Sequence, residues 1–338
     1  MSEDIVMINS LATRAELLRR AAEQALLAPS VHNTQPWRFV LTSDALEIHS
    51  DPRRQLRVLD PSGRQLIISC GCALFNVRVT LAARGYHPVV ERFPDPNRRD
   101  LLARVSLASE PAAELVIGTL DRYIISRQTN RRRFTDETVR PEVISQLMEC
   151  AVDEETMLFH VRAMNHRLAV ARLSHEADAV ENADPAYRAE LRAWTSDDSK
   201  RHDGVPAVAV PRVTGNAQDD IPIRDYDTRG TGGLPPETRS SVNQSLFILG
   251  TSNDDPLSWL RAGEALERLW LEAARNGYAI SLFTQVIELP YFRERLRTEL
   301  GLTTRPHILM RIGKAPITSS SMRRRLQDVL IDNTATAD

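Results

Sequence analysis

The sequence predicts an α+β fold of two similar halves, and three observations carry the prediction. A helix leading into a core strand occurs twice, as Arg14 to Leu27 before Trp37 to Leu41 and as Pro141 to Val152 before Met157 to Val161. A long helix ending in Ala82-Ala83-Arg84-Gly85-Tyr86 is echoed by one ending in Ala273-Ala274-Arg275-Asn276-Gly277-Tyr278. After each echo the chain turns apolar again, at Val89 to Phe93 and Leu101 to Leu107 in one half and at Ala279 to Val286 and His307 to Ile312 in the other. Repeats are sought first because a missed one misassigns the whole fold. The halves are expected to meet near residue 120, as 1–120 and 121–338.

Local pattern justifies each element in turn. In the first helix Leu17, Leu18, Ala21, Ala22, Ala25 and Leu26 recur at helical spacing, and Pro29 cannot continue it. Trp37, Phe39, Val40 and Leu41 then read as a strand, with Ala45 to His49 returning beside it. Pro52 to Gly63 is a polar connection. From Arg64 to Arg84 apolar positions cover much of the helix circumference, as expected for a helix buried between layers, and Gly85 closes it. Tyr291 to Leu300 reads as an amphipathic helix. From Thr195 to Arg239 the chain is rich in Gly and Pro without a helical period, so a lid across a site and a plain mobile insertion are both open readings. Leu326 to Ile331 is expected to form a last apolar turn before a frayed polar tail.

Composition narrows the function classes. The 338 residues are 42% hydrophobic, enough for a substantial core, and carry a formal net charge of -2. No global basic field points to nucleic acid or an anionic membrane. Of the 43 basic residues only Lys200 and Lys314 are lysines, so arginine is a compositional habit here and each arginine argument is discounted accordingly. Cys70, Cys72 and Cys150 lack the second close pair of a structural zinc site and are expected to be core thiols. The sequence has no run of 18 apolar residues and no secretory pattern, and a soluble cytoplasmic protein is expected. No metal cluster, Ser-His-Asp order or Walker loop is present, so neither a metal nor a catalytic side chain is assigned.

The loop Pro29-Ser30-Val31-His32-Asn33-Thr34-Gln35 is pinned between helix and strand. Ser30, Asn33 and Gln35 offer a hydroxyl and two amides that both donate and accept, the mixture that a heteroaromatic ring with alternating N–H and C=O edges needs. The alternative is that they only satisfy the turn's own backbone. His32 has no acidic or metal-ligating partner at useful spacing and reads as a structural or rim histidine.

Pro29-Ser30-x-x-Asn33-x-Gln35-Pro36-Trp37 resembles the flavin-contacting loop of the nitroreductase superfamily. Asp60-x-x-Gly63-Arg64, Ser69-Cys70-Gly71-Cys72-Ala73-Leu74, Arg92-Phe93-Pro94-Asp95-Pro96, Arg127-x-Thr129-x-Arg131 and the arginine-rich C-terminal segment extend the likeness over most of the chain. The chain is similar to the Acg-type branch, long nitroreductase-like proteins associated with dormancy. That resemblance implies a nitroreductase fold, an FMN cofactor, NADH or NADPH as reductant and a small-molecule acceptor.

It also implies which residues hold FMN. Pro29, Ser30, Asn33 and Gln35 would lie against the flavin, and Arg64 would reach its pyrimidine edge. Arg127, Thr129 and Arg131 match the arginine motif, and Arg323 and Arg324 match a closing phosphate contact. Gly277, Ser281 and Thr284 lie in the segment that follows the N5 edge. In the superfamily two subunits join, and each flavin sits between one subunit's arginine motif and the other's Pro-Ser loop. This chain keeps each motif once, so the resemblance implies an intramolecular pseudo-dimer with one FMN, acting as a monomer or a homodimer. Two functions stay open: an oxidoreductase passing hydride from NAD(P)H through the flavin, or a catalytically weak protein that stores FMN under a lid.

Overall fold

The computed structural model describes residues 2–111, 116–196, 198, 200–210, 221–226, 244–318 and 320–334. Helix α1 (Ser2–Ala25) buries Leu18, Ala21, Ala22 and Ala25 completely, the face its spacing predicts. Strands β1 (Trp37–Leu41) and β2 (Ala45–Ser50) pair antiparallel, α2 (Arg64–Ala82) follows, and β3 (Tyr86–Arg92) pairs with β4 (Leu101–Pro111). A short α3 (Asp121–Ile124) leads to α4 (Pro141–Asp153) and β5 (Met157–Val161). Helices α5 (Met164–Ala183) and α6 (Pro185–Ala193) and the paired two-residue strands β6 (Thr195–Ser196) and β7 (Val205–Pro206) come next. The chain then resumes with β8 (Ser245–Thr251), α7 (Pro256–Arg275) and β9 (Ala279–Leu282). It ends with α8 (Gln285–Glu288), α9 (Pro290–Glu299), β10 (Arg305–Gly313) and β11 (Leu330–Asp332).

Two sheets result, ordered β11-β1-β2-β4-β3 and β5-β8-β10-β9. Setting β11 aside, the order is the same in both, with α1 or α4 before the first strand and α2 or α7 between the second and the third in chain order. Every pairing in these two sheets is antiparallel except that of β11, which runs parallel to β1 with Phe39 opposite Leu330. This corrects the expectation of a last apolar turn: Leu326–Asp328 makes one 3-10 turn, and the chain then crosses back to the sheet of the first half.

Between the sheets α2 and α7 cross with their backbones in contact. A Cβ at Gly71 would lie 2.2 Å from the Leu260 carbonyl oxygen, and one at Gly263 only 2.0 Å from that of Ile68. Only glycine permits this approach. One hydrophobic core runs through the crossing, from Leu18 and Phe39 through Leu74 to Leu266 and Met310. Among the described residues α2 is the one helix long and apolar enough to cross a membrane, and 89% of that stretch is buried inside the protein. Its all-round hydrophobicity reflects that burial.

Candidate functional site

A partly open cavity lies beside the α2–α7 crossing. Pro29, Ser30 and His32 of the loop line it, with Gln65, Ile68, Ser69 and Cys72 of α2, Trp270 of α7, and Thr129, Arg131, Ser281 and Thr284. A recess shares Pro29, Ser30, Thr129 and Arg131 with it and adds Asn33, Gln128, Ser321 and Arg323.

The loop that enters this site is held in an unusual backbone. His32, Asn33 and Gln35 all have left-handed φ, at 46°, 55° and 49°. Such residues cost on the order of 1 kcal/mol each and persist where surrounding contacts dictate them. Here Ser30 Oγ accepts from the Gln35 amide at 2.9 Å, and Asn33 Nδ2 donates to the carbonyls of Gly204 and Met322 at 2.9 and 3.1 Å. Gln35 Nε2 donates to the His202 carbonyl at 2.8 Å, while its Oε1 accepts from the Arg324 amide at 2.7 Å. The loop is thus tied to the segment after α6 and to the C-terminal segment together.

Around the cavity several buried polar atoms have no partner: His32 Nδ1, Asn33 Oδ1, Gln65 Nε2 and Trp270 Nε1. Native interiors leave few such atoms, so a group of them on residues that line the cavity and its recess points to a polar ligand there. Two arginines lie behind it. Arg127 is buried, its guanidinium stacked over the Trp270 ring at 4.9 Å and its Nη2 donating to the Leu27 carbonyl at 3.0 Å. Arg323 Nη2 reaches the same carbonyl at 3.5 Å, and burial together with Arg127 pushes its pKa down to about 9. Arg127 Nη1 and Arg323 Nε have no hydrogen-bond partner. Arg131 lies 5.0 Å over Tyr226 and makes no ion pair among the described residues.

Eight of the thirteen expected contact residues line the cavity or the recess: Pro29, Ser30, Asn33, Thr129, Arg131, Ser281, Thr284 and Arg323. Arg127 stands directly behind the wall. The other four are placed elsewhere, each for a local reason. Gln35 spends its amide on backbone groups, and Arg324 donates to the carbonyls of Gln35 and Asp328. Arg64 is buried at the start of α2, donating to the Ile287 carbonyl at 2.6 Å, while the neighbouring Asp60 accepts from the Leu66 amide at 2.9 Å and Gly63 takes φ +75°. That motif therefore starts a helix. Gly277, at φ +72°, turns α7 into β9, its carbonyl held by Lys314.

Sequence reasoning missed Gln65, Cys72 and Trp270, which sit on helices whose pattern reads as plain core. It also missed Arg224 and Tyr226. These two, with Ile223, are the part of the Thr195–Arg239 segment seen at the cavity; residues 197, 199, 211–220 and 227–239 of that segment lie outside the described residues. Arg224 is fixed by Glu288, by the Tyr187 hydroxyl and by Thr284 Oγ1 at 3.0 Å. His32 meets Tyr226 edge-on at 5.3 Å, and burial, then Arg224 and Arg131, hold it well below the usual histidine range.

No protein-family model matches the chain. A Mycobacterium tuberculosis protein named "Putative NAD(P)H nitroreductase" is 34% identical over 330 residues, covering 94% of this chain and 91% of that protein. The chain belongs to this nitroreductase family. Another M. tuberculosis member, "Putative NAD(P)H nitroreductase acg", is 31% identical over 304 residues, covering 89% of this chain and 90% of its own. Among solved structures, a putative nitroreductase from Anabaena variabilis aligns at 10% identity and TM-score 0.42 over 80% of this chain and 69% of its own. A Bacteroides fragilis nitroreductase with bound FMN aligns at 10% identity and TM-score 0.37 over 61% of this chain and 93% of its own.

In this nitroreductase-family chain the crossing glycines also relate two places. Counting outward from Gly71 and Gly263, Cys72 corresponds to Glu264 and Trp270 to Arg78. Where Cys72 and Trp270 line the cavity, Glu264 and Arg78 form an ion pair at 2.8 Å. Arg78 also binds Glu154 at 2.6 Å, Arg92 binds Glu264 at 2.7 Å, and Arg268 joins Glu154 at 2.9 Å. Glu154 lies between α4 and β5, the counterpart of the Ser30 loop between α1 and β1. These residues form one buried ionic network.

Proposed function

We propose that this protein is an FMN-dependent oxidoreductase of nitroreductase type, which takes hydride from NADH or NADPH and passes electrons to a small acceptor. The observation that carries this reading is the set of buried, unpartnered polar atoms around one cavity with two cations behind it. A flavin ring presents donors and acceptors along one edge, and its phosphate is dianionic. Gln65 Nε2, Trp270 Nε1 and Asn33 Oδ1 fit the first need; Arg323, Arg131 and Arg127 fit the second. Ser30 and Thr129 complete the phosphate end, and Ser281 and Thr284 the far side of the ring. When bound, FMN supplies the hydride-accepting N5 atom. The chain binds and orients it and excludes water, and no side-chain acid is required.

We further read the chain as an intramolecular pseudo-dimer with one site. The repeated strand order and the Gly71–Gly263 crossing support the first part, and the network of Arg78, Glu154, Glu264 and Arg92 supports the second. A storage role has its own support, since Ile223, Arg224 and Tyr226 already wall the cavity. Anaerobic titration of the purified yellow protein with NADPH or NADH decides between the two. One FMN per chain, bleached at catalytic rates, is expected. One FMN that photoreduces yet ignores both nucleotides would favour storage, and two FMN per chain would end the one-site reading.

A further inference from the structure

We infer that Glu267 is the internal counter-ion of the phosphate-binding arginines and that it takes up a proton from solvent when FMN binds. This rests on the FMN reading above. Glu267 is fully buried on α7, one helical turn from Trp270, which lines the cavity. Its Oε1 lies 3.3 Å from Arg127 Nε, and Asn76 is its other polar neighbour. Arg127 and Arg323 face it from the loop after α3 and from the C-terminal segment, and Asn76 and Cys72 face it from α2. One acid thus pairs with a buried arginine that shares the Leu27 carbonyl with a second, and that second arginine lines the recess.

A dianion in that recess changes the balance. The dianion sets two negative charges against Arg127, Arg323 and Arg131, and so weakens the attraction that holds Glu267 ionised in a buried place. Protonating the carboxyl removes one buried charge without moving a side chain. Burial already pushes it up to about 7 against the pull of Arg127, and a nearby anion pushes in the same direction. Above pH 7 the free protein therefore carries the carboxylate and the complex the acid. The ligand's own phosphate titrates lower, near 6.

Calorimetry of FMN binding to apoprotein, in buffers of different ionisation enthalpy, reads the proton directly. Uptake should approach one proton per FMN at pH 8 and fade toward pH 6, with affinity falling up to about tenfold per pH unit above 7. Glu267→Gln should still bind FMN, with no uptake and a flat pH dependence between pH 7 and 8, above the range of the phosphate and below that of Arg323. Absence of uptake in the wild type, or its persistence in E267Q, overturns the inference. If E267Q does not fold, the difference infrared spectrum of the wild type decides, because FMN binding must create a protonated-carboxyl band. Failure of FMN to bind the wild type at any pH would instead overturn the FMN reading itself.

Discussion

Arg127 and Arg323 both reach the Leu27 carbonyl, and although Arg323 Nη1 also donates to the carbonyls of Ser321 and Met322, Arg127 Nη1 and Arg323 Nε stay without a hydrogen-bond partner in a buried place. Charge-assisted bonds to a phosphate contribute about 1.5–3 kcal/mol each. Arg127→Ala and Arg323→Ala should therefore each weaken FMN retention about tenfold to a hundredfold, measured by fluorescence of flavin released on dilution. Variants that both keep wild-type affinity would reduce these arginines to composition. At this scale loop motifs named residues that the fold gathers at the cavity or its recess, as with Ser30, Thr129, Arg131 and Arg323. They do not tell which polar side chains serve backbone that only the fold brings near. Gln35 is such a case, because the His202 carbonyl and Arg324 amide that occupy it come from distant segments. Gln65 and Trp270 were hidden differently, as single polar-capable positions within helices that read as core.

The contact between α2 and α7 is set by two glycines that carry no motif of their own. Replacing Gly263 with alanine would place a methyl group 2.0 Å from a main-chain oxygen, and a backbone atom cannot swing aside. The helices must separate, so a loss on the order of 2 kcal/mol is expected in spite of alanine's better helix propensity. Gly85→Ala is the contrast: its φ is +79° but nothing lies within 4 Å, so only backbone strain of about 1 kcal/mol follows. Denaturant midpoints of the two variants rank these effects. The paired elements of the two halves were legible from period and turn residues. Strand β11 was not, because three residues give almost no periodicity and its partner lies nearly the whole chain away.

For the molecule as a whole, β11 is the strap that fastens the second half to the first. Removing residues 326–338 would expose the edge of β1 and release the segment that carries Arg323 and the Met322 carbonyl bound by Asn33. Such a truncated chain should lose FMN on gel filtration and unfold at lower temperature than the full chain. If it retains FMN, the strap is dispensable. The same strap fixes an order of events during synthesis. Phe39 leaves the ribosome long before its neighbour Leu330 and Arg323 are made. Strand pairing of such long range is slow, and earlier parts fold without it. A nascent chain can therefore build most of its core before the proposed phosphate-binding arginine exists, and cofactor loading waits until that residue has been made.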